Sequence, residues 1–336
     1  MVARVSARRA VALGTGGYAV VVPATETTAP HDSPAPRRPT PAPAPVTAPA
    51  LTAVTDPRMS VVVATMDRRE QLARSVPRHE GTLIVVDNGS TDGSPDAVLA
   101  ARPDADVVRL DHNAGAVARN LGVRRARSPY VAFADDDSWW APGALRSAAD
   151  VMDAHPRLAV LAARVLVGPQ ERVDPFSELL AASPLGREAD LPGPSILGFL
   201  ACGAVVRRDA FLAVGGFDRV IGFLGEEERV SLDLAAAGWG LAYVDAVTVH
   251  HHPLPTGRDP RARRRLQQRN ALLTAWMRRP LPVALARTAG CVRHGGPDGR
   301  AAAAAAARRL PRALARRRVV PAHVEAAIAR LEQPAS

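Results

Sequence analysis

The stretch Tyr130-Val-Ala-Phe-Ala-Asp-Asp-Asp-Ser-Trp-Trp140 decides the reading of this chain. Strand-like residues from Tyr130 to Phe133 run into three consecutive carboxylates, Asp135, Asp136 and Asp137. A buried strand cannot carry three unpaired charges, so they belong just beyond its C-terminal end. In an open α/β sheet that end faces the ligand crevice. Hard oxygen ligands gathered there suit Mg²⁺ or Mn²⁺, which take one or two carboxylates and leave positions for phosphate oxygens. A solvated acidic turn capping a helix from Pro142 is the simpler alternative.

On the N-terminal side, Met59–Thr65 and Thr82–Asp87 are β-branched runs that predict buried strands. Helical spacing occupies 68–78 and 94–102, a short third strand spans 106–110, and Asn113-Ala-Gly-Ala-Val-Ala-Arg-Asn120 opens another helix. Beyond the acidic triplet come a helix over 142–155, a strand over 158–167 and an irregular stretch, 168–194, taken as an acceptor-side loop. A strand at 201–206, a helix at 226–237 and a strand at 241–249 lead into His250-His251-His252. Strands alternating with helices at this spacing predict a doubly wound, mostly parallel α/β sheet.

The flanks differ from this body. Residues 1–57 are rich in Pro, Ala and Thr and read as a disordered tail. An apolar run near Val11 is interrupted at Gly14, Gly16 and Gly17, which argues against a secretion signal. From Arg258 onward 18 Arg face four acids, although the whole 336-residue chain carries only +10. The expected organisation is therefore a tail at 1–57, a catalytic domain at 58–256 and a basic helical extension at 257–336. Such an extension can meet anionic lipid, nucleic acid or acidic glycan, or present solvated helix faces. The two cysteines, Cys202 and Cys291, form no readable disulfide or zinc pattern.

Several motifs fall in a meaningful order: a strand ending at Thr65, then Val85-Val-Asp-Asn-Gly-Ser-Thr-Asp92, then Asn113-x-Gly-x-x-x-Arg-Asn120, then the Asp triplet. Gly225-Glu-Glu-Glu228 heads a helix ending Ala237-Gly-Trp239, and a last strand runs into His250. Over Met59 to Pro253 the chain resembles the family 2 glycosyltransferases, which share a GT-A fold.

The resemblance implies a donor site for a nucleoside-diphosphate sugar and a divalent cation, Mn²⁺ or Mg²⁺. Asp87 would contact the nucleoside, with Thr65 and Asp67 bordering the same pocket, and Arg119 would approach the phosphates. Asp137 would bind the metal, Asp135 or Asp136 the ribose or a metal-bound water (Asp135 also being a candidate metal ligand), and His250 would supply a further ligand. The acidic pair falls on Glu226-Glu227, where Glu stands in place of the usual Asp and Glu228 follows. Its second member, Glu227, would deprotonate the acceptor hydroxyl, with Glu226 and Glu228 left open as alternatives. The implied activity is an inverting transfer onto a glycan, lipid-linked or small-molecule acceptor, in bacterial cell-envelope polysaccharide synthesis. Nucleotide-sugar supply places the enzyme in the cytoplasm, and the basic helices suggest peripheral contact with the inner face of the plasma membrane.

Two rivals are weaker. A nucleotidyltransferase typically opens with a Gly-rich loop and uses a Lys, whereas this chain has Met66-Asp-Arg-Arg69 there and no Lys at all. A polyanion-binding protein would use the Arg-rich tail, but Trp276 stands alone there without the aromatic interleaving of single-strand binders, and no specific nucleic acid is expected.

Overall fold

The computed structural model describes residues 56–253 and 259–333, so the Pro-rich tail lies, up to residue 55, outside the described residues. Nine strands among them form one mixed sheet: β1 (Met59–Thr65), β2 (Thr82–Asp87), β3 (Asp106–Arg109), β4 (Tyr130–Ala134), β5 (Ser138–Trp140), β6 (Leu158–Val167), β7 (Arg172–Val173), β8 (Ala204–Arg207) and β9 (Gly240–His251). Their spatial order is β3-β2-β1-β4-β8-β6-β9-β5, with β7 paired to β6. The β3-β2-β1-β4 half is parallel, as is β6 with β9, while β8, β5 and β7 pair antiparallel.

Both faces of this sheet are covered. Val61, Val63, Leu83 and Val85 point one way, onto α1 (Arg69–Ser75), α2 (Ser94–Ala101) and α4 (Ala144–Ala154). Their neighbours Val62, Ile84 and Phe133 point the other way, onto α3 (Ala118–Arg125), α5 (Pro175–Ala181), α6 (Arg208–Ala213) and α7 (Glu226–Ala236). Period-two alternation splits each apolar run between two cores, which is why the strands read as nearly continuous Val and Ile. At α3 the approach is close enough that a Cβ on Gly122 would lie 2.4 Å from Val62 Cγ1, so only glycine fits there.

Two local expectations are revised. The segment 168–194 is not wholly irregular: it contains β7 and α5, whose Asp174 cap accepts the Phe176 N–H at 2.8 Å. A seven-residue helix is too short to show a clear apolar period. The last strand also runs on through His251, because its end pairs with β5, an element too short to read from pattern.

The Arg-rich extension comprises α8 (Pro260–Arg278), α9 (Leu281–His294), α10 (Gly296–Ala307), α11 (Leu310–Leu314) and α12 (Ala322–Glu332). It shares two apolar clusters with the sheet domain, Val220 and Ile221 with Leu272 and Met277, and Leu197 and Leu232 with Val324 and Ile328. Many of its arginines are spent inward. Arg278 pairs with Asp233, Arg279 with Glu325 and Glu332, and Arg316 with Asp218. Arg278 and Arg316 thus neutralise carboxylates of the sheet domain, while Arg279 pairs within the extension.

Candidate active site

Parallel pairing of β1 with β2 and β4 brings the C-terminal ends of the three strands together, with Thr65 beside Asp87. Asp87 is buried; its Oδ2 accepts the Ser90 N–H at 3.1 Å, while Oδ1 is buried with no hydrogen-bond partner among the described residues. Half of this carboxylate closes a turn and the other half is left for a ligand. Thr65 donates its hydroxyl to Asp136 Oδ2 at 3.2 Å. Asp67 is exposed, with φ of 51°, and its Oδ1 accepts the Thr91 N–H at 2.8 Å. It thereby latches the loop after β1 to the loop after β2.

The triplet lies immediately past β4. Burial, then the adjacent Asp137 and Asp135 carboxylates, push Asp136 up to about 7. That is the electrostatic mark of a site with more negative charge than its own residues compensate, and it suits a divalent cation.

The histidine facing this charge is His251, not His250. Antiparallel pairing sets Ser138 opposite His251 and Trp139 opposite His250, and alternation then sends the two imidazoles to opposite faces. His251 Nε2 lies 3.3 Å from Asp137 Oδ1. Burial pulls its pKa down, but Asp137, Asp135 and Asp174 outweigh that and raise it. His250 instead stacks on Trp139 at 5.5 Å and lies 2.8 Å from Glu171. Without the partner strand, nothing in His250-His251-His252 says which ring turns inward.

Arg119, 5% exposed, joins the two halves of the site. Its Nη2 donates to Asp135 Oδ1 at 2.5 Å and its Nη1 lies 3.7 Å from Glu226 Oε1. The first turn of α7 is thereby drawn against the triplet, 90 residues earlier in the chain. Glu226 is buried, whereas Glu227 is half-buried, with the Ala201 amide close enough to counter part of the burial effect on its carboxyl. Burial pushes both carboxyls above the usual range, and one oxygen of each has no partner among the described residues. Glu228, a further 100° round the helix, lies toward Arg287, Arg279 and Glu332 of the extension, and burial pushes it up to about 7.

The extension also holds the loop that delivers this helix. Asn270, fully buried on α8, donates to Phe223 O at 2.7 Å and Leu224 O at 2.6 Å. Arg269 donates to Ile221 O at 3.0 Å and Arg309 to Val220 O at 2.9 Å. Leu224 sits at φ 70°, a left-handed conformation costly for a side-chain-bearing residue, directly before Gly225 and Glu226. Sequence reasoning missed Asn270, because nothing local ties position 270 to position 224. Asn270→Ala is expected to leave those carbonyls unpaired at about 1–3 kcal/mol. Steady-state kinetics should show turnover falling roughly tenfold with donor KM little changed; an equal rise in donor KM would mean that the whole site has shifted.

Comparison with known proteins bears on the family and the fold. Residues 60–215 match the Glycosyl transferase family 2 profile. An N-acetylglucosaminyl-diphospho-decaprenol L-rhamnosyltransferase of Mycobacterium tuberculosis is 27% identical over 240 residues, covering 60% of this chain and 78% of that protein. A succinoglycan biosynthesis protein of Rhizobium meliloti is 35% identical over 107 residues, 29% of this chain and 30% of the relative. Among solved structures, a mannosyltransferase from Pyrobaculum calidifontis in complex with GDP-Man and Mn²⁺ superposes with a TM-score of 0.50 at 21% identity, covering 84% of this chain and 78% of that one. That likeness speaks to the fold. An α/β sheet with acidic side chains at its strand ends, an arginine tying them to a glutamate-headed helix, and a profile match over residues 60–215, which hold Asp87, Arg119 and the acidic triplet, lead to one assignment: residues 60–215 are a glycosyl transferase family 2 domain, and the protein is a glycosyltransferase.

Proposed function

We propose that the enzyme transfers a sugar, with inversion, from a nucleoside-diphosphate sugar to a hydroxyl of a lipid-linked or polymeric glycan acceptor. The observation that carries this reading is Arg119 between Asp135 and Glu226, which joins a cation-demanding carboxylate cluster to two glutamates, each with one buried oxygen lacking a partner among the described residues. The free Oδ1 of Asp87 accepts a donor from the base or ribose. Glu227 takes the proton of the acceptor hydroxyl as its oxygen bonds to the anomeric carbon. The bond from that carbon to the diphosphate breaks, and its electron pair leaves with the nucleoside diphosphate. Attack opposite the leaving group, with one base and no second nucleophile, inverts the centre. A divalent cation held by Asp137 and His251 would neutralise charge on the departing diphosphate. Glu226 keeps Arg119 in place, and Arg119 keeps Asp135 turned to the site.

Acceptor class is supported by the relatives, one of which is named for a decaprenyl-linked substrate. No helix among the described residues is long and apolar enough to cross a membrane. Peripheral contact is supported by the exposed Leu281, Leu285 and Val292 of α9, with Arg293 beside them.

The test is release of nucleoside diphosphate from UDP-, GDP- and dTDP-sugars with and without Mn²⁺, followed by transfer to polyprenyl-linked acceptors in anionic vesicles and in detergent. Metal-dependent release from one donor, raised several-fold in KM by Asp87→Ala, is the expected result. Absence of both release and metal-dependent donor binding across the panel would defeat the reading, and equal rates in vesicles and detergent would remove the membrane contact.

A further inference from the structure

Between α5 and β8 the chain makes a short turn at Ala201–Gly203, whose Ala201 amide lies near the Glu227 carboxyl. Its neighbour Cys202 is 5% exposed. Burial alone says little, since a cysteine often packs as a small apolar residue. It does pack in an apolar cluster with Phe199 and Ala204, but its sulfur also lies near polar groups. One ligand atom from each of Asp135, Cys202 and His251 lies within 4.8 Å of the others. The three come from the end of β4, this turn and the end of β9, which are remote in sequence and meet only in the fold. His251 Nε2 is also the atom 3.3 Å from Asp137.

Bonds of about 2.0–2.3 Å to a common ion place its ligand atoms roughly 3–4.5 Å apart. The trio is therefore within about an ångström of closing on a common ion. The turn also packs closely, since a Cβ on Gly203 would lie 2.7 Å from Val165 Cγ2.

We propose that Cys202 is a thiolate ligand of the divalent cation at this site, completing a nitrogen, oxygen and sulfur set with His251, Asp135 and Asp137. This rests on the metal-dependent reading above. On binding, the thiol proton passes to solvent and a metal–sulfur bond forms, with no change in oxidation state. The consequence is selectivity. A carboxylate-only site admits Mg²⁺ and Mn²⁺ readily, whereas a thiolate and an imidazole move preference toward Zn²⁺ and Co²⁺.

The experiment is titration of the metal-stripped full-length protein with Co²⁺, followed by absorption. A near-ultraviolet sulfur-to-cobalt charge-transfer band should grow to saturation at one equivalent, vanish in Cys202→Ser and Cys202→Ala, and persist in Cys291→Ser. Those two cysteines are the whole thiol content of the chain, so the assignment has no third candidate. In Cys202→Ser, with thermal unfolding unchanged, the ratio of Co²⁺ to Mg²⁺ affinity should fall at least about tenfold. Visible Co²⁺ absorption without the near-ultraviolet band, or a band indifferent to Cys202→Ser, would overturn the sulfur ligand while leaving metal-dependent sugar release intact. No Co²⁺ binding with or without a nucleoside diphosphate would overturn both. A band that persists in a protein inactive on every donor would keep the site and defeat the transferase reading.

Discussion

Glu227→Gln is expected to lower turnover by about 10²–10⁴-fold while leaving donor KM within a few-fold of its starting value. The amide keeps the size of the side chain and its place at the head of α7 but cannot accept the hydroxyl proton. Its neighbours differ in kind. Glu226→Gln removes the charge facing Arg119 and should cost donor affinity as well as rate, because Arg119 would then be free to turn from Asp135. Glu228→Gln changes a carboxyl that faces the extension and should leave turnover nearly unchanged. The pH profile makes a separate check. Burial raises the Glu227 carboxyl above its ordinary value, and a base works only when deprotonated. Turnover should therefore fall as pH drops through a midpoint above the usual carboxylate range, a limb that Glu227→Gln abolishes. Equal loss in Glu226→Gln and Glu227→Gln, with the limb intact in the latter, would transfer the role of base to Glu226.

Asp137→Ala should reduce metal-dependent turnover by roughly 10²–10³-fold, the scale seen when one group stabilising transition-state charge is lost. Two signatures distinguish this from unfolding. Asp137 raises the pKa of both Asp136 and His251, so its removal should lower the His251 titration midpoint in an NMR titration of the metal-free protein. It should also leave binding of the nucleoside alone nearly intact, since Asp87 lies at the end of a different strand. Unchanged turnover in saturating Mn²⁺ would shift the principal ligand to Asp135.

How much of this was legible beforehand differs by element. The strands at Met59–Thr65, Thr82–Asp87, Tyr130–Ala134 and Leu158–Val167 were readable to the residue, because β-branched runs bounded by turn formers have few other ways to bury themselves. The position of the Asp triplet followed from the cost of burying charge in a strand. Asp87 followed from the same logic, although only the fold revealed that one of its oxygens is spent on Ser90 and the other is free. The charge of the extension was visible, but not its packing: Asp233 and Asp218, which take Arg278 and Arg316, lie far upstream.

The sequence by itself therefore determined the fold class, the order of the chemical groups and the residue types at the site, because these depend on local periodicity and on the desolvation of single side chains. Tertiary structure alone decided that His251 and not His250 meets Asp137, that Glu226 meets Arg119 while Glu228 lies toward the extension, and that Cys202 and Asn270 come near these residues at all. Each of those outcomes depends on which distant strand or helix packs alongside, and a one-residue change of face, invisible to composition, reverses it.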